Sequence, residues 1–195
     1  MIRGPTEQEE AAIVGFFDGM RKTLAKRVVG DQALVVIEEQ GAVGDDGITA
    51  VRLLVALASP ATMALPEALR VDATGGTWGG LVIGELEEDE DGLLYFTLDI
   101  QGAVAVGRLT DVQSVRVTER SARLVLYRRP VLGSSVEGFD PRLNRGDACI
   151  IRNPRSEAIA IGEVVGRFKG NRPAVNVLHD LGTYLRDQTE RAKGP

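Results

Sequence analysis

The chain has 195 residues, 44% hydrophobic and 26% charged, which is typical of a globular protein with one domain or two small ones. Its single cysteine, Cys149, excludes an internal disulfide, and its longest apolar runs are far shorter than a membrane span. The first residues also lack the apolar core of a signal peptide, so we expect a cytoplasmic protein that does not bind membranes.

Charge is distributed unevenly along the chain. The net charge is −5, but residues 128–195 hold 12 Lys/Arg against 8 Asp/Glu, whereas residues 1–127 hold 11 against 20. A basic C-terminal third indicates a surface for polyanions, and an acidic remainder indicates a different kind of partner. Uneven solvation of an ordinary surface accounts for the same numbers, so charge alone does not decide between these interpretations.

The N-terminal segment predicts a helix. Thr6 and Glu9 have the spacing of a capping box, in which the threonine caps the helix and the glutamate reaches back. Apolar residues then recur at spacings of three and four, which predicts one buried helical face: Ile13, Phe16, Phe17, Met20 and Leu24. Acidic residues near the start and basic residues near the end complement the helix dipole. We expect this element to end at Gly30 and Asp31.

Two strands and a short helix follow. Residues 33–38 and 48–57 contain enough apolar and β-branched side chains to form strands. Ser59 and Pro60 have the pattern of a helix N-cap followed by proline at the first helical position, which predicts a helix to about residue 69. The glycines of residues 75–80 lack the spacing of a phosphate-binding loop and indicate a flexible crossing.

Two hairpins are predicted next. Residues 81–86 and 93–100 flank an acidic tip that ends in Asp91 and Gly92, a strong hairpin signal. A solvated turn explains the tip better than a metal site, because adjacent carboxylates on a hairpin tip do not converge on one ion. After an ambiguous segment that fits a short helix, residues 112–117 and 123–127 predict a second hairpin. Residues 1–127 are therefore expected to form an N-terminal α/β domain with an antiparallel sheet.

The C-terminal part has a different pattern. Short apolar runs near residues 148–151, 158–165 and 174–178 are separated by Gly, Pro and Asn, the pattern of strands in a small β-barrel. We therefore predict an α+β protein whose residues 128–195 form a separate barrel domain.

Three short motifs in this region occur in an order that is fairly specific. They are Gly146-Asp147 before a buried strand, Ile161-Gly162 in the next strand, and the closing His179-Asp180-Leu181-Gly182-Thr183-Tyr184-Leu185. In this arrangement the last third of the chain resembles the PUA domain, the RNA-binding module of pseudouridine synthases and archaeosine transglycosylases. The resemblance implies that residues 128–195 are a PUA-like β-barrel that binds RNA.

A wider resemblance covers the chain in outline. Three segments are similar to the Nip-seven family of large-ribosomal-subunit biogenesis factors and their archaeal counterparts. They are Pro5–Glu10 at the start, Val125–Val136, and His179–Arg186 near the end. That resemblance implies a non-enzymatic protein for ribosome biogenesis and pre-rRNA processing. Its PUA domain would contact rRNA or pre-rRNA, and its N-terminal domain would contact ribosome assembly proteins.

Candidate RNA-binding residues lie on and before the last strand. Alternation along this strand puts Asn176 on the face opposite Val175 and Val177. The family's RNA contacts are expected near Arg172, Asn176 and His179, with Arg167 and Lys169 supplying further charge from the preceding loop.

One of these candidates, His179, also has a purely structural explanation. A structural hydrogen bond explains His179 as well as an RNA contact does. Further candidates with less reason to favour any one are Arg128, Arg129, Arg142, Arg145, Arg152 and Arg155. RNA recognition commonly targets unstacked strands, so single-stranded A- or U-rich RNA is a reasonable first ligand.

An enzymatic role finds little support. One histidine and one cysteine exclude a His/Cys metal cluster within the chain, and no nucleophile elbow or P-loop is present. We expect no cofactor and no metal, a buried and unreactive Cys149, and a turn-stabilising Asp147. The alternatives are a protein–protein adaptor whose barrel no longer binds RNA, an RNA-modification accessory protein, and a hydrolase that uses carboxylates alone. We expect a monomer.

Overall fold

The computed structural model describes residues 2–43, 49–59 and 80–182. The predicted helix up to residue 69 and Tyr184 lie outside these ranges, as do residues 75–79 of the glycine-rich segment. The chain divides into two compact units, Met1–Gly102 and Ala103–Pro195. The sequence predicts functional domains that divide between residues 127 and 128. The boundary between the compact units lies earlier, after Gly102, because the strand Ser114–Val117 pairs within the second sheet.

An antiparallel sheet with the strand order β1-β2-β3-β4-β5 forms the first unit. Its strands are β1 (Ile2–Arg3), β2 (Ala33–Val43), β3 (Thr49–Ala58), β4 (Gly80–Glu88) and β5 (Leu94–Leu98). The predicted hairpin between β4 and β5 is confirmed. Its tip is closed by Asp89, whose carboxylate accepts hydrogen bonds from the backbone N–H groups of Asp91 and Leu93, and by Gly92 with a φ of 78°. The antiparallel sheet predicted for this part of the chain is therefore present.

Two helices, α1 (Glu7–Met20) and α2 (Leu24–Val29), contribute the helical layer of this unit. The predicted capping box is confirmed: Thr6 accepts a hydrogen bond from the Glu9 backbone N–H, and the Glu9 carboxylate accepts one from the Thr6 backbone N–H. The rings of Phe16 and Phe17 pack against Phe96 of β5, with centroids 5.1 and 5.4 Å apart.

The expectation of one continuous helical element to Gly30 is wrong. The helix stops after Met20, and Thr23 adopts a left-handed φ of 68° before α2 begins. The apolar spacing nevertheless predicts the buried face well, since Ile13, Phe17, Met20 and Leu24 are all buried. The chain makes this turn while keeping the same side chains in the core.

A third helix, α3 (Ile100–Gly107), follows β5 and matches the short helix that residues 102–109 fit. The second sheet has the order β7-β11-β10-β9-β6-β8 and is antiparallel except for the parallel pair β6 and β9. Its strands are β6 (Ser114–Val117), β7 (Val131–Leu132), β8 (Val136–Phe139), β9 (Ala148–Arg152), β10 (Ala158–Val164) and β11 (Pro173–Asp180). This sheet forms a nearly closed, barrel-like structure, so the predicted α+β class and C-terminal barrel are confirmed.

A hydrophobic cluster lies inside the sheet of the second unit. Side chains from most of the strands and from one helix contribute to it, among them Val115, Val125, Ile151, Ala160 and Val175. The partly buried Phe168 and Val177 pack against its edge. Because these side chains are buried inside the barrel, the opposite faces of the strands are the ones available for binding.

The predicted second hairpin is wrong in its second half. Residues Glu119–Val125 form a helix, α4, whose N-cap Thr118 accepts a hydrogen bond from the Ser121 backbone N–H. The helix ends in a Schellman motif, in which the N–H groups of Arg128 and Arg129 donate to the carbonyls of Val125 and Leu124. Arg128 occupies the left-handed position of this motif with a φ of 57°, where glycine is the usual residue.

Candidate nucleic-acid interface

The last strand carries two of the predicted RNA-binding residues. Asn176 and His179 are both exposed, whereas Val175 is buried and Val177 is half-buried, as the alternation predicts. Residues three apart on a regular strand point to opposite faces. Here Ile161 pairs with His179 and Gly162 pairs with Val177, so Leu178 is an extra residue in a β-bulge. The bulge therefore brings Asn176 and His179 to the same face of the sheet.

The loop before this strand carries the three predicted cations. Arg167, Lys169 and Arg172 are all exposed. Their backbones converge on Gly133, whose N–H donates to the Arg172 carbonyl over 3.0 Å. A Cβ atom at Gly133 would lie 2.6 Å from the Arg167 carbonyl oxygen and 2.4 Å from the Lys169 nitrogen. The absence of a side chain at this position thus allows the cation-bearing loop to pack closely against the barrel.

A carboxylate lies on the same strand face as the predicted residues. Glu163 of β10 pairs directly opposite Asn176 of β11, so both side chains extend from one face of the sheet. Its negative charge disfavours a phosphate beside Asn176 and leaves hydrogen bonding to bases or riboses as the suitable contact. Phosphate contacts are better accommodated at the loop end, near Arg167, Lys169 and Arg172.

The closing Asp180-Leu181-Gly182 motif has a structural explanation. The buried Asp180 carboxylate accepts a hydrogen bond from the Gly182 N–H over 2.7 Å and lies 3.5 Å from the Arg128 guanidinium. A Cβ atom at Gly182 would lie 2.0 Å from the Leu126 carbonyl oxygen, so only glycine fits against the end of α4. The motif fastens the end of β11 to the helix that precedes β7.

The six further arginine candidates differ in their surroundings. Arg129, Arg145 and Arg155 are exposed, and Arg128 is exposed while pairing with Asp180. Arg142 forks onto the Asp140 carboxylate with contacts of 3.0 and 2.8 Å, and its guanidinium lowers the pKa of that carboxyl. This pairing leaves Arg142 less suited to a phosphate than the other exposed arginines.

Arg152 is a candidate that the structure excludes, because its residue is only 2% exposed. Its guanidinium donates hydrogen bonds to the carbonyls of Gly107, Thr110 and Ser156, at 2.8 Å for Gly107 and 2.7 Å for Ser156. Burial lowers the pKa of the Arg152 guanidinium, and the nearby Asp111 carboxylate opposes this effect. The side chain holds the end of α3 to the turn after β9, so its role is structural.

Two other sequence predictions concern residues near the barrel core. Asp147 accepts a hydrogen bond from the Asn144 backbone N–H over 2.7 Å, which confirms its turn-stabilising role. Cys149 is buried as predicted, and burial raises the pKa of its thiol to about 12, which disfavours the reactive thiolate. Within residues 2–43, 49–59 and 80–182, no three His, Cys, Asp or Glu side chains are grouped to hold a metal ion. No helix in the same ranges is long and apolar enough to cross a membrane.

Two phenylalanines that no sequence pattern indicates line an open groove next to the cationic loop. Phe139, at the end of β8, and Phe168, in the loop before β11, have ring centroids 4.3 Å apart. They are far apart in sequence, and neither forms part of a motif, so only the pairing of the strands brings them together. A phenylalanine at the exposed end of a short strand was the one available signal.

Comparisons with known proteins find a family match within the second unit. Residues 113–189 match the family model of the UPF0113 PUA domain. No curated protein is significantly similar in sequence to the chain.

Several solved structures have the same fold. A hypothetical protein from the archaeon Pyrococcus horikoshii is 12% identical with a TM-score of 0.63, over 97% of this chain and 99% of that one. A conserved PUA domain protein from Thermoplasma acidophilum is 12% identical with a TM-score of 0.54, over 96% of this chain and 99% of that one. A PUA domain from Aeropyrum pernix is 16% identical with a TM-score of 0.58, over 97% of this chain and 91% of that one. The barrel-like C-terminal region of this chain therefore matches the PUA domain, in the family model over residues 113–189 and in the fold of these structures.

Proposed function

We propose that the protein binds RNA through its PUA domain and acts without catalysing a reaction. PUA domains are in general RNA-binding modules, which supports the first part of the proposal. The observation that carries it is the placement of Arg167, Lys169 and Arg172 in one exposed loop that leads into the face of Asn176 and His179. The loop offers positive charge to phosphates, and the strand offers hydrogen-bonding groups to bases or riboses.

The biological setting that we propose is ribosome assembly. It rests on the resemblance of both ends of the chain and of residues 125–136 to the Nip-seven family. In this setting the RNA is rRNA or pre-rRNA, and the first unit contacts assembly proteins. The exposed acidic tip formed by residues 87–91 of the β4–β5 hairpin favours a basic partner, since ribosomal and assembly proteins commonly carry positive charge.

The test is binding of labelled single-stranded U-rich RNA to the wild-type protein and to the triple variant Arg167→Ala/Lys169→Ala/Arg172→Ala. Titrations at several salt concentrations separate charge contacts from other contributions, because each phosphate contact to a single strand contributes a slope of about −0.7 in log K against log salt. We expect the triple variant to lose affinity and to have a slope shallower by about 2.

A matched control removes the same charge from the first unit. Arg21, Lys22 and Arg27 are exposed in and around its helices, and the variant Arg21→Ala/Lys22→Ala/Arg27→Ala should keep wild-type affinity and slope. Equal losses in both triple variants would mean that net charge, and not the loop of Arg167, Lys169 and Arg172, determines binding.

The second candidate function is a protein–protein adaptor whose barrel acts as a scaffold. The acidic tip favours it, because such a surface suits a basic protein and disfavours RNA. Failure of the wild-type protein to bind RNA at low salt would reject the RNA-binding proposal and leave the adaptor as the better explanation.

A further inference from the structure

The second unit contains an open groove of about 610 Å³ beside the cationic loop. Its walls are the end of β8, the end of β10 and the loops that follow these two strands. The residues that line it are Phe139, Leu143, Asn144, Arg145, Val164, Val165, Gly166, Arg167, Phe168 and Lys169. The groove therefore combines two aromatic rings with three cationic side chains.

The aromatic pair presents an apolar surface next to the cationic side chains. The two rings are 4.3 Å apart at their centroids and inclined by 33°. Phe168 is half-buried against the hydrophobic cluster of the barrel, whereas Phe139 is 48% exposed. An anchored ring beneath an exposed one is a suitable platform for another planar group, because every nucleobase has a π-face that can stack on it.

The charge of the groove indicates that its ligand carries negative groups next to the planar one. Arg145, Arg167 and Lys169 are exposed, and the lining contains no aspartate or glutamate. The neighbouring Asp140 carboxylate is held by Arg142, which offsets its charge. Three cations around an apolar platform suit a ligand that carries phosphates next to a planar base.

Backbone hydrogen bonds hold the loops around the groove in place. The Gly146 N–H donates to the Val164 carbonyl over 2.7 Å, and the Val164 N–H donates to the Asp147 carbonyl over 2.9 Å. These bonds tie the loop that carries Arg145 to the end of β10, and Gly133 packs against the other loop. A preformed site loses less conformational entropy on binding than a disordered one.

We infer that an unstacked base of single-stranded RNA binds against the Phe139–Phe168 pair, and that Arg145, Arg167 and Lys169 contact the adjacent phosphates. This inference rests on the proposed RNA-binding function and extends it from the face of β11 to a defined base-stacking site. A polyanion without bases would use the cations alone, so a requirement for bases is the property that distinguishes this site.

The experiment compares a U-rich RNA of about ten nucleotides with an abasic ribose-phosphate chain of the same length. The proteins are the wild type, Phe139→Leu and, as a matched control, Tyr95→Leu. Tyr95 belongs to β5 of the first unit and is 45% exposed, close to the value for Phe139. We expect Phe139→Leu to bind RNA roughly 5- to 100-fold more weakly, with an unchanged salt slope and unchanged binding to the abasic chain. Tyr95→Leu should bind like the wild type.

A second variant keeps the test decisive if Phe139→Leu fails to fold. Phe139→Trp retains an aromatic platform and adds a fluorophore to the groove. We expect its added fluorescence, relative to the wild type, to be quenched by RNA and not by the abasic chain.

The outcomes separate this inference from the broader proposal. Salt-dependent RNA binding that is equal in the wild type and Phe139→Leu, with no preference for RNA over the abasic chain, would reject the stacking site and leave RNA binding intact. Absence of RNA binding by the wild type would reject both.

Discussion

Gly133 lies directly against the backbone of Lys169, so that a Cβ atom added to it would approach the Lys169 nitrogen to 2.4 Å. We expect Gly133→Ala to displace the loop of Arg167 and Lys169, to lower the free energy of unfolding by about 1–3 kcal/mol and to weaken RNA binding. Denaturant unfolding and RNA titration measure the two effects. In the control Gly19→Ala, an exposed helical glycine has nothing within 4 Å of the added Cβ, and stability should rise by about 0.5–1 kcal/mol. A Gly133→Ala protein with wild-type stability and affinity would contradict the role of this close contact.

Glu9 should make the first unit sensitive to acid. Hydrogen bonds from Arg3, with further bonds from Thr6, lower the pKa of the Glu9 carboxyl from about 4.5 to about 2. A carboxyl with a lowered pKa in the folded state stabilises the protein above the unfolded pKa, and this stability is lost as the pH falls towards the folded value. The loss between about pH 5 and pH 2 should reach about 3 kcal/mol at most.

Denaturant unfolding at several pH values measures this effect. Glu9→Gln should be less stable at neutral pH and should lose less stability on acidification. The exposed neighbour Glu10 provides the control, since Glu10→Gln should retain the wild-type acid sensitivity. Identical pH profiles for Glu9→Gln and the wild type would show that this carboxylate does not stabilise the fold.

Arg128 combines an unfavourable backbone conformation with a favourable ion pair. Its φ is 57°, and its guanidinium lies 3.5 Å from the buried Asp180 carboxylate. Arg128→Ala keeps the left-handed conformation and loses the ion pair, so we expect it to lower the free energy of unfolding by about 1–2 kcal/mol. Arg128→Gly loses the same ion pair but relieves the backbone, and its stability should lie about 1 kcal/mol above that of the alanine variant. Equal stabilities in thermal unfolding would argue against strain at this position.

Arg152 should be essential for the stability of the second unit. Its guanidinium satisfies three backbone carbonyls in a buried position. Arg152→Met leaves these acceptors without their donors, and we expect it to cost about 3 kcal/mol or more. Arg152→Lys keeps the charge but lacks the forked geometry, so it should rescue only part of the loss. The exposed Arg155→Met is the control and should unfold like the wild type. RNA binding by whatever fraction of Arg152→Lys is folded should be unchanged, since the side chain does not reach the surface.

The barrel strands could be predicted because their signals are local. Apolar runs between turn residues set β9, β10 and β11, and burial on one face is a direct result of the sequence pattern. Helix α4 could not be predicted in the same way. Its seven residues contain no full apolar repeat, and Thr118 and Ser121 are as common in turns as at helix starts. Tertiary packing of Ala122 and Val125 into the barrel cluster decides in favour of a helix.

The candidate site was only partly predictable, because several of its side chains are positioned by residues far away in sequence. Exposure of Asn176 follows from alternation, but exposure of His179 beside it depends on a bulge that is set by pairing with another strand. Arg152 follows an apolar run and therefore resembles a surface residue at a strand end. Its burial depends on carbonyl groups that are more than forty residues away in sequence. The pairing of Phe139 with Phe168 is equally non-local.

The extra residue at Leu178 changes which positions of β11 face the barrel interior. Before the bulge the odd-numbered Val175 and Val177 face the barrel interior, and after it the even-numbered Asp180 is buried. Many substitutions at exposed positions of this strand would leave the orientation of its side chains unchanged on both sides of the bulge. If β11 kept its length but paired with β10 without the bulge, His179 would turn inward, and the Asp180 carboxylate, which now fastens the end of the strand, would be exposed. The outward position of His179 and the burial of Asp180 therefore depend on the bulge as much as on the chemistry of the two side chains.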